Sequence, residues 1–382
     1  MKVLMVCPSY PPQDATCGVG DYTRCLSEEL ARQGVAVTVA TSVTYRGETD
    51  GAVTVLPTVR RWTASGAWNL AGLAGRSGAD VLHLQYAPDL YGTGSGFVLC
   101  PAWARLRARG AATMVTFHSL TGPSLWSRAA ALLLLASARH CISANEEVSA
   151  MIRRRTPALW KRCSEIPIGS NVHVEPAVTP GEQPAERRRL DLPATGPLVV
   201  FFGMVYPGKG LETLVDAWAH VIRRRPDARL VIAGDTRPDD ESHRRFLEER
   251  AARLSVQASV IWTGRRPAGD VSRLLHMASV FVAPFDGGLS IRHGSLMAGL
   301  AHGLPIVSTV APLPSAHLKD GEQVILVPPR DPEALAGRIE FLLASPQEAR
   351  RLGKAAAEAA VRFSWTGIAE QTHRLYARVV AP

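Results

Sequence analysis

The sequence predicts an α/β protein built of two Rossmann-like, doubly wound parallel-sheet domains, with a C-terminal helix returning to the first. Short apolar, strand-like runs alternate with helical patterns along the chain, the signature of parallel strands joined by crossover helices. The runs fall into two series, parted by residues 172–197, a stretch rich in Pro and Arg without apolar periodicity. At 382 residues and 46% apolar composition the chain is long enough for two cores. The same balance excludes disordered, collagenous and coiled-coil classes.

The first series runs Val3–Val6, Val35–Ala40, Val53–Leu56, Val81–Leu84 and Thr113–Phe117. The second runs Leu198–Phe202, Arg229–Ala233, Ser259–Trp262, Val280–Ala283, Ile306–Ser308 and Val324–Val327. An N-terminal domain at 1–171, a linker at 172–197 and a C-terminal domain at 198–362 follow from these positions. Residues 363–382 carry Trp365, Ile368, His373, Leu375, Tyr376 and Val379 at helical spacing, and this helix is expected to cross back onto the N-terminal domain. Doubly wound sheets bind ligands beyond the carboxyl ends of their strands. A cleft between two facing domains is therefore the expected site.

A balance of 43 Lys+Arg against 34 Asp+Glu gives a net charge of +9, which favours anionic ligands. The arginine triplets at 153–155, 187–189 and 223–225 have no interleaved aromatic residues and read as solvated faces, so no nucleic-acid partner is expected. Six cysteines without a CxxC pair, and without His at metal-ligand spacing, fit a reduced, cytoplasmic protein with no metal site. The apolar run Val3–Cys7 is too short for a signal peptide. The longest apolar stretch, Ala129–Ala138, has roughly half the length of a bilayer span. Docking of basic helices on a membrane surface stays open, as does the choice between monomer and homodimer.

Three glycine-bearing loops carry the candidate chemistry. Gly18, Val19 and Gly20 lead from the first strand's loop into a helix, where backbone can approach a ligand closely and free N–H groups meet an anion; a plain tight turn is the competing reading. The second loop, Gly203 to Gly210, has the glycines and the Lys209 of a P-loop. It fails at Gly210, where a magnesium-holding Ser or Thr is required. A strand, a glycine turn, a cation and a helix start remain, a set suited to a phosphate held without a metal. In the third loop, Asp286, Gly287, Gly288, Ser290, Arg292, His293, Gly294 and Ser295 run into another helix. A diphosphate facing Lys209 would be stabilised from that second side.

These segments resemble retaining nucleotide-sugar glycosyltransferases of the GT-B fold, in the family-four group that includes bacterial mannosyl- and glucosyltransferases and sucrose-phosphate synthases. The matching segments are Gly18–Thr23, Thr116-Phe117-His118, Phe202-Gly203 through Lys209-Gly210-Leu211, Leu230–Gly234, Ala301–Val307 and Phe363-Ser364-Trp365, in the family's order and over nearly the whole chain. The resemblance implies a sugar donor activated by a nucleoside diphosphate, UDP or GDP foremost, held mainly by the C-terminal domain. The acceptor, a glycan, lipid-linked or small natural-product hydroxyl or other nucleophile, would lie mainly on the N-terminal domain. Transfer would proceed with retention and with no metal or other cofactor. Lys209 would neutralise the departing phosphate, His118 would contact the donor sugar, and the Gly18–Gly20 loop would lie by the diphosphate.

Two departures from the family stand out. Its Arg shortly after the glycine matched by Gly203 is absent here, the interval holding Met204, Val205 and Tyr206; its two glutamates correspond to Ser290 and Ala298. The segment instead resembles a subgroup with Gly-x-Ser-x-Arg-x-Gly-Ser-Leu, which also fits His83-Leu84-Gln85-Tyr86 and Ile166–Asn171. Arg292 is accordingly expected to replace the lost cation, and His293, Gly294 and Ser295 to offer backbone N–H groups to the diphosphate. His83, Gln85 and Tyr86 are expected to face the acceptor, a structural His83 being the alternative. Asp286 is either a partial substitute for a glutamate or a turn-forming Asp, and Asp239 with Asp240 reads as a solvated turn. An inactive nucleotide-sugar-binding paralogue, a GT-B epimerase needing paired carboxylates and a magnesium-dependent triphosphatase are the competing readings.

Overall fold

The structure, a computed structural model, describes residues 1–12, 17–49, 51–91, 96–120 and 125–381. The chain divides into two compact units, Met1–Gly169 with Ser364–Pro382, and Ser170–Phe363.

In the first unit β1 (Lys2–Val6), α1 (Gly18–Arg32), β2 (Ala36–Ser42), β3 (Thr54–Val59), α2 (Ala64–Ser77), β4 (Val81–Tyr86), α3 (Cys100–Arg107) and β5 (Ala112–Phe117) succeed one another. After them come α4 (Leu125–Ser137), β6 (His140–Ser143), α5 (Glu146–Arg155), α6 (Pro157–Trp160) and β7 (Cys163–Glu165). The strands form one parallel sheet in the order β3-β2-β1-β4-β5-β6-β7. Every residue of β4 and β5 is buried, as expected for inner strands covered on both faces. The chain end supplies part of that cover. Helix α14 (Trp365–Val380), capped by the Ser364 hydroxyl, buries Ile368, Ala369, Thr372, Leu375, Tyr376 and Val379. His373 is only half-buried, Thr372 taking the inward position.

The second unit contains α7 (Gln183–Arg189), β8 (Leu198–Phe202), α8 (Leu211–Arg224), β9 (Arg229–Ala233), α9 (Glu241–Arg253), β10 (Val260–Gly264), α10 (Ala268–His276) and β11 (Val280–Ala283). It is completed by α11 (Gly294–Ala301), β12 (Ile306–Thr309), β13 (Ile325–Val327), α12 (Pro332–Ala344) and α13 (Pro346–Ala360). Its parallel sheet has the order β10-β9-β8-β11-β12-β13. Trp218 of α8, fully buried, anchors the core on one face and donates from its indole to the Ser259 hydroxyl at 2.8 Å.

Residues 172–197 differ from the expected linker. They belong to the second unit, where the Glu175 N–H donates to the Ser272 hydroxyl (2.9 Å) and the Glu175 carbonyl lies 2.7 Å from His276 Nε2 of α10. Arg187 is no solvated charge either: it is 7% exposed and donates to the carbonyls of Pro193 and Gly196. Apart from the short helix α7, the segment packs by such isolated bonds, which leave no periodic trace in the sequence.

Candidate functional site

The second sheet reverses its strand order between β8 and β11, where doubly wound sheets bind ligands. The two loops leaving those strands carry Lys209 and Arg292. Both are shaped by glycine. Gly203, Gly208 and Gly210 have φ of +137°, +93° and +72°, and a β-carbon at Gly210 would collide with the Pro284 carbonyl. The loops are tied where they meet by the Asp286 N–H, which donates to the Gly208 carbonyl at 3.2 Å.

Within this frame Lys209 is 8% exposed, its Nζ lying 4.9 Å from the Tyr206 ring centre and 5.0 Å from that of Phe285. Burial, with the charges of Arg292 and Arg237 added, pushes its pKa down to about 8. The Phe285 ring also packs on His293, centre to centre 4.0 Å; burial and the nearby Lys209 and Arg292 hold that imidazole well below its usual range, so it is neutral. Among the described residues no carboxylate pairs with Lys209, Arg237 or Arg292. Three cations gathered around one aromatic patch, with no carboxylate paired to them among the described residues, suit a polyanion.

Arg237 is the member that the sequence did not disclose. It follows β9, and its guanidinium stands 5.9 Å from the same Tyr206 ring as Lys209. Gly234, at φ +155°, permits this by letting the β9 end press on the Gly203 carbonyl. The next residues behave as the expected solvated turn, Asp239 being exposed and Asp240 half-buried.

Other expected groups fall into place or out of it. His293 precedes α11 as its N-cap, and its N–H is spent on the Ser290 carbonyl at 3.2 Å, so it offers no free donor. Gly294 and Ser295 occupy the first helical positions, whose N–H groups have no intrahelical acceptor. A β-carbon at Gly203 would lie 3.4 Å from Ser295 Cβ, so the loop and this helix start adjoin. Ser290 is 4% exposed and accepts from the Arg292 N–H at 3.2 Å, a loop-shaping bond. Ala298 is fully buried. The Asp286 carboxylate is held by Arg330 at 3.2 Å.

In the first unit β4 separates the three residues expected to face an acceptor. Successive side chains point to opposite faces. Tyr86 therefore leaves His83 and Gln85 and packs with Tyr91 and Phe117. His83, fully buried, has Nδ1 2.6 Å from the Tyr376 hydroxyl and Nε2 2.7 Å from that of Thr116. Burial, chiefly, pushes its pKa down to about 3. It is a satisfied structural histidine, not an acceptor contact. Gln85 is fully buried, its amide nitrogen 2.9 Å from Met5 Sδ and its oxygen 2.9 Å from His118 Nε2. His118, directly after β5, is half-buried, held neutral by burial with a pKa of about 3, and packed edge-on to Tyr22 at 4.6 Å. The Gln85 bond makes Nε2 the donor, so Nδ1 is left as an acceptor.

Gly18 and Val19 are the first two residues of α1, while Gly20 is buried and a β-carbon there would lie 2.9 Å from the Ser9 carbonyl. Ser9 lines a cavity of about 340 Å³ that sequence reasoning did not anticipate, bounded also by Tyr10, Ser42, Tyr45, Trp62 and Asp89. Among the described residues no three His, Cys, Asp or Glu side chains gather as metal ligands would, and no helix is long and apolar enough to cross a membrane. No disulfide joins any of the six cysteines.

Two parallel doubly wound units, with a cationic glycine loop at the switch point of the second, define a glycosyltransferase of the GT-B fold. The chain matches the family described as glycosyl transferases group 1 over residues 182–359, and a glycosyl transferase 4-like domain over residues 17–159. Both matched segments are glycosyltransferase domains, and together they take in most of the chain. It is 29% identical to a phosphatidyl-myo-inositol mannosyltransferase of Mycobacterium leprae, over 99% of this chain and 97% of that one. A D-inositol 3-phosphate glycosyltransferase of Segniliparus rotundus is 31% identical over 50% of this chain, the match spanning 42% of the relative's length. In fold the chain resembles HepE of Anabaena, solved with UDP and glucose (TM-score 0.77, 18% identity, 99% and 100% of the two chains). Sucrose-phosphate synthase of Thermosynechococcus elongatus is similar too (TM-score 0.74, 22% identity, 99% and 98%).

Proposed function

We propose that the protein moves a sugar from a nucleoside diphosphate donor to a hydroxyl with retention of configuration and without a metal ion, as a member of the subgroup that lacks the paired glutamates. The observation that carries this reading is the cluster of Lys209, Arg237 and Arg292, paired with no carboxylate among the described residues, beside the N–H groups of Gly294 and Ser295 at the start of α11. These groups bind the diphosphate. As the bond from the anomeric carbon to the phosphate oxygen breaks, they meet the charge left on that oxygen, a stabilisation worth most when the donors are already in place. The acceptor oxygen forms the new bond on the same face, and its proton passes to the departing phosphate. No carboxylate base is then required, consistent with Ser290 and Ala298 at the glutamate positions.

His118 accepts a hydrogen bond from a sugar hydroxyl at Nδ1, the Gln85 amide fixing its tautomer. Gly18 and Val19 supply N–H groups at the α1 start. The aromatic-walled cavity beside Ser9 takes the acceptor ring, polar groups such as Ser42 and Asp89 meeting its hydroxyls. Relatives whose names carry inositol and mannosyl transfer make a polyol acceptor, free or lipid-linked, the first class to supply.

Release of free nucleotide from UDP-, GDP-, ADP- and dTDP-sugars, with inositol phosphates and lipid-linked polyols as acceptors, tests this reading, with Lys209→Ala as control. Selective release lost in the variant is expected. Nucleotide binding without release from any donor and acceptor pair would favour a non-catalytic sugar-nucleotide binder. No binding at all would remove the assignment of the Lys209 cluster.

A further inference from the structure

Arg105, Arg109, Arg139 and Arg162 converge on one cavity of about 420 Å³ in the first unit, whose wall also includes Val379 and Val380 of the chain end. It opens at the amino ends of the strands. Ala112 and Thr113, the first residues of β5, line it, and Arg139 immediately precedes β6. His118 follows the opposite end of β5, roughly 16 Å away at about 3.3 Å per residue. The cavity therefore has no share in the site described above.

Helix capping accounts for part of this arrangement. Arg105 donates to the Ser137 carbonyl at 2.7 Å, Arg162 to those of Ala138, Leu135 and Ala136, and Arg139 to that of Ala381 at 3.3 Å. Cations at the C-terminus of α4 complement its dipole. Four guanidinium groups nevertheless carry five N–H donors each, far more than these carbonyls use, and Arg109 makes none of these bonds. Among the described residues no carboxylate lines the cavity and none of the four arginines forms an ion pair. Arg378 adds to the field: together with Arg162 it reinforces the effect of burial in holding the His140 pKa down, at about 4. Anchoring Arg105, Arg139 and Arg162 on carbonyls lowers the entropic cost of offering their remaining donors to a ligand, and planar forks match phosphate oxygens.

We propose that this cavity is a second anion site that binds a phosphate monoester or diphosphate group, independent of the Lys209 cluster. Its volume exceeds a bare phosphate and leaves room for the group's substituent. Two sources share that chemistry, a free phosphate compound and a phospholipid headgroup. The second is favoured by the outer face of α4, where Trp126, Leu132 and Leu133 are 54%, 48% and 40% exposed on the helix whose terminal carbonyls hold Arg105 and Arg162.

The test uses the full chain carrying Lys209→Ala and Arg292→Ala, so that the first anion site is silenced, titrated calorimetrically with pyrophosphate. Binding is expected, and adding Arg109→Gln with Arg139→Gln, both exposed positions, should weaken it by about tenfold or more, with thermal melting as the check that the variant folds. In the otherwise unaltered chain the same pair should leave UDP affinity unchanged. Flotation with vesicles containing phosphatidic acid, lost on the Arg109→Gln and Arg139→Gln pair, would assign the site to a headgroup; pyrophosphate binding without flotation would assign it to a soluble phosphate compound. Absence of pyrophosphate binding, or binding indifferent to the arginine pair, overturns the proposal and leaves these residues as helix caps only.

Discussion

His83 on β4 and Tyr376 on α14 share a 2.6 Å hydrogen bond although 293 positions separate them in the chain, and both side chains are fully buried. The bond latches the chain end onto the middle of the first sheet. Tyr376→Phe removes one partner and leaves an imidazole nitrogen buried without its bond, a loss of about 1–3 kcal/mol. A lower urea midpoint with unchanged m-value is expected. An unaltered midpoint would mean that the contact contributes nothing. Deletion of residues 364–382 should go further, exposing the sheet face covered by Ile368, Leu375 and Val379, and the shortened chain should fail to refold.

The buried imidazoles also set a pH dependence. In the folded chain His83 and His118 both titrate near 3, against 6.5 for the ordinary group. Below about 6.5 the unfolded chain takes up their protons while the folded chain does not, so stability is full above that pH and falls as pH drops toward 3. Urea unfolding between pH 7 and pH 4 measures this. In His118→Gln the slope should shrink by one proton, and an identical slope would show that His118 is not neutral in the folded protein.

Lys209 predicts the alkaline side of the activity profile. Its folded pKa of about 8 lies below the ordinary 10.5, so the free protein loses this charge as pH rises through 8. The value of kcat/KM for the donor should decline there, because that ratio reports the free enzyme's groups. In kcat the decline should move to higher pH, since a bound diphosphate favours the charged form. Lys209→Arg should abolish the alkaline decline, and Lys209→Ala should lower turnover about a hundredfold or more at neutral pH, the deficit narrowing as Lys209 itself loses its proton.

How much of this was legible in the sequence varies with the kind of signal. Apolar runs long enough to be buried on both faces, such as β4, β5 and β8, were readable, as were the glycine loops. Strands β6 and β7 were not. His140–Ser143 and Cys163–Glu165 have four and three residues, too few for periodicity, and only the pairing of β6 with β5 and of β7 with β6 makes them strands. The opposed direction of Tyr86 was available from strand alternation, which separates it from His83 and Gln85. Arg237 left no trace, because its part comes from Gly234 packing against a carbonyl thirty-one positions earlier, a tertiary fact.

Gly210 tests the geometry of the Lys209 loop without touching a charge. Its φ of +72° is costly for any residue with a β-carbon, and that carbon would also collide with the Pro284 carbonyl. Gly210→Ala should therefore cost at least about 2 kcal/mol and displace Lys209, so donor affinity falls together with Tm. Gly208, also at positive φ, has open space around it. Gly208→Ala should keep most of the donor affinity, and equal damage at both positions would argue against the specific contact with Pro284.

Arg237 and Arg292 approach Lys209 from different loops, and both depress its pKa. If they act on one diphosphate, their contributions are coupled through it. Removing either leaves fewer charges on the same anion and also relieves repulsion on Lys209, so the two losses should not add. Arg237→Ala and Arg292→Ala should each weaken donor binding about tenfold, in line with charge-assisted bonds of about 1.5–3 kcal/mol offset by screening at exposed positions. The double variant should then fall measurably short of the product of the single effects. Calorimetric donor titration of the four proteins closes this cycle. Strict additivity would place the two arginines on separate parts of the ligand, and an Arg237→Ala protein that binds donor normally would remove Arg237 from the site.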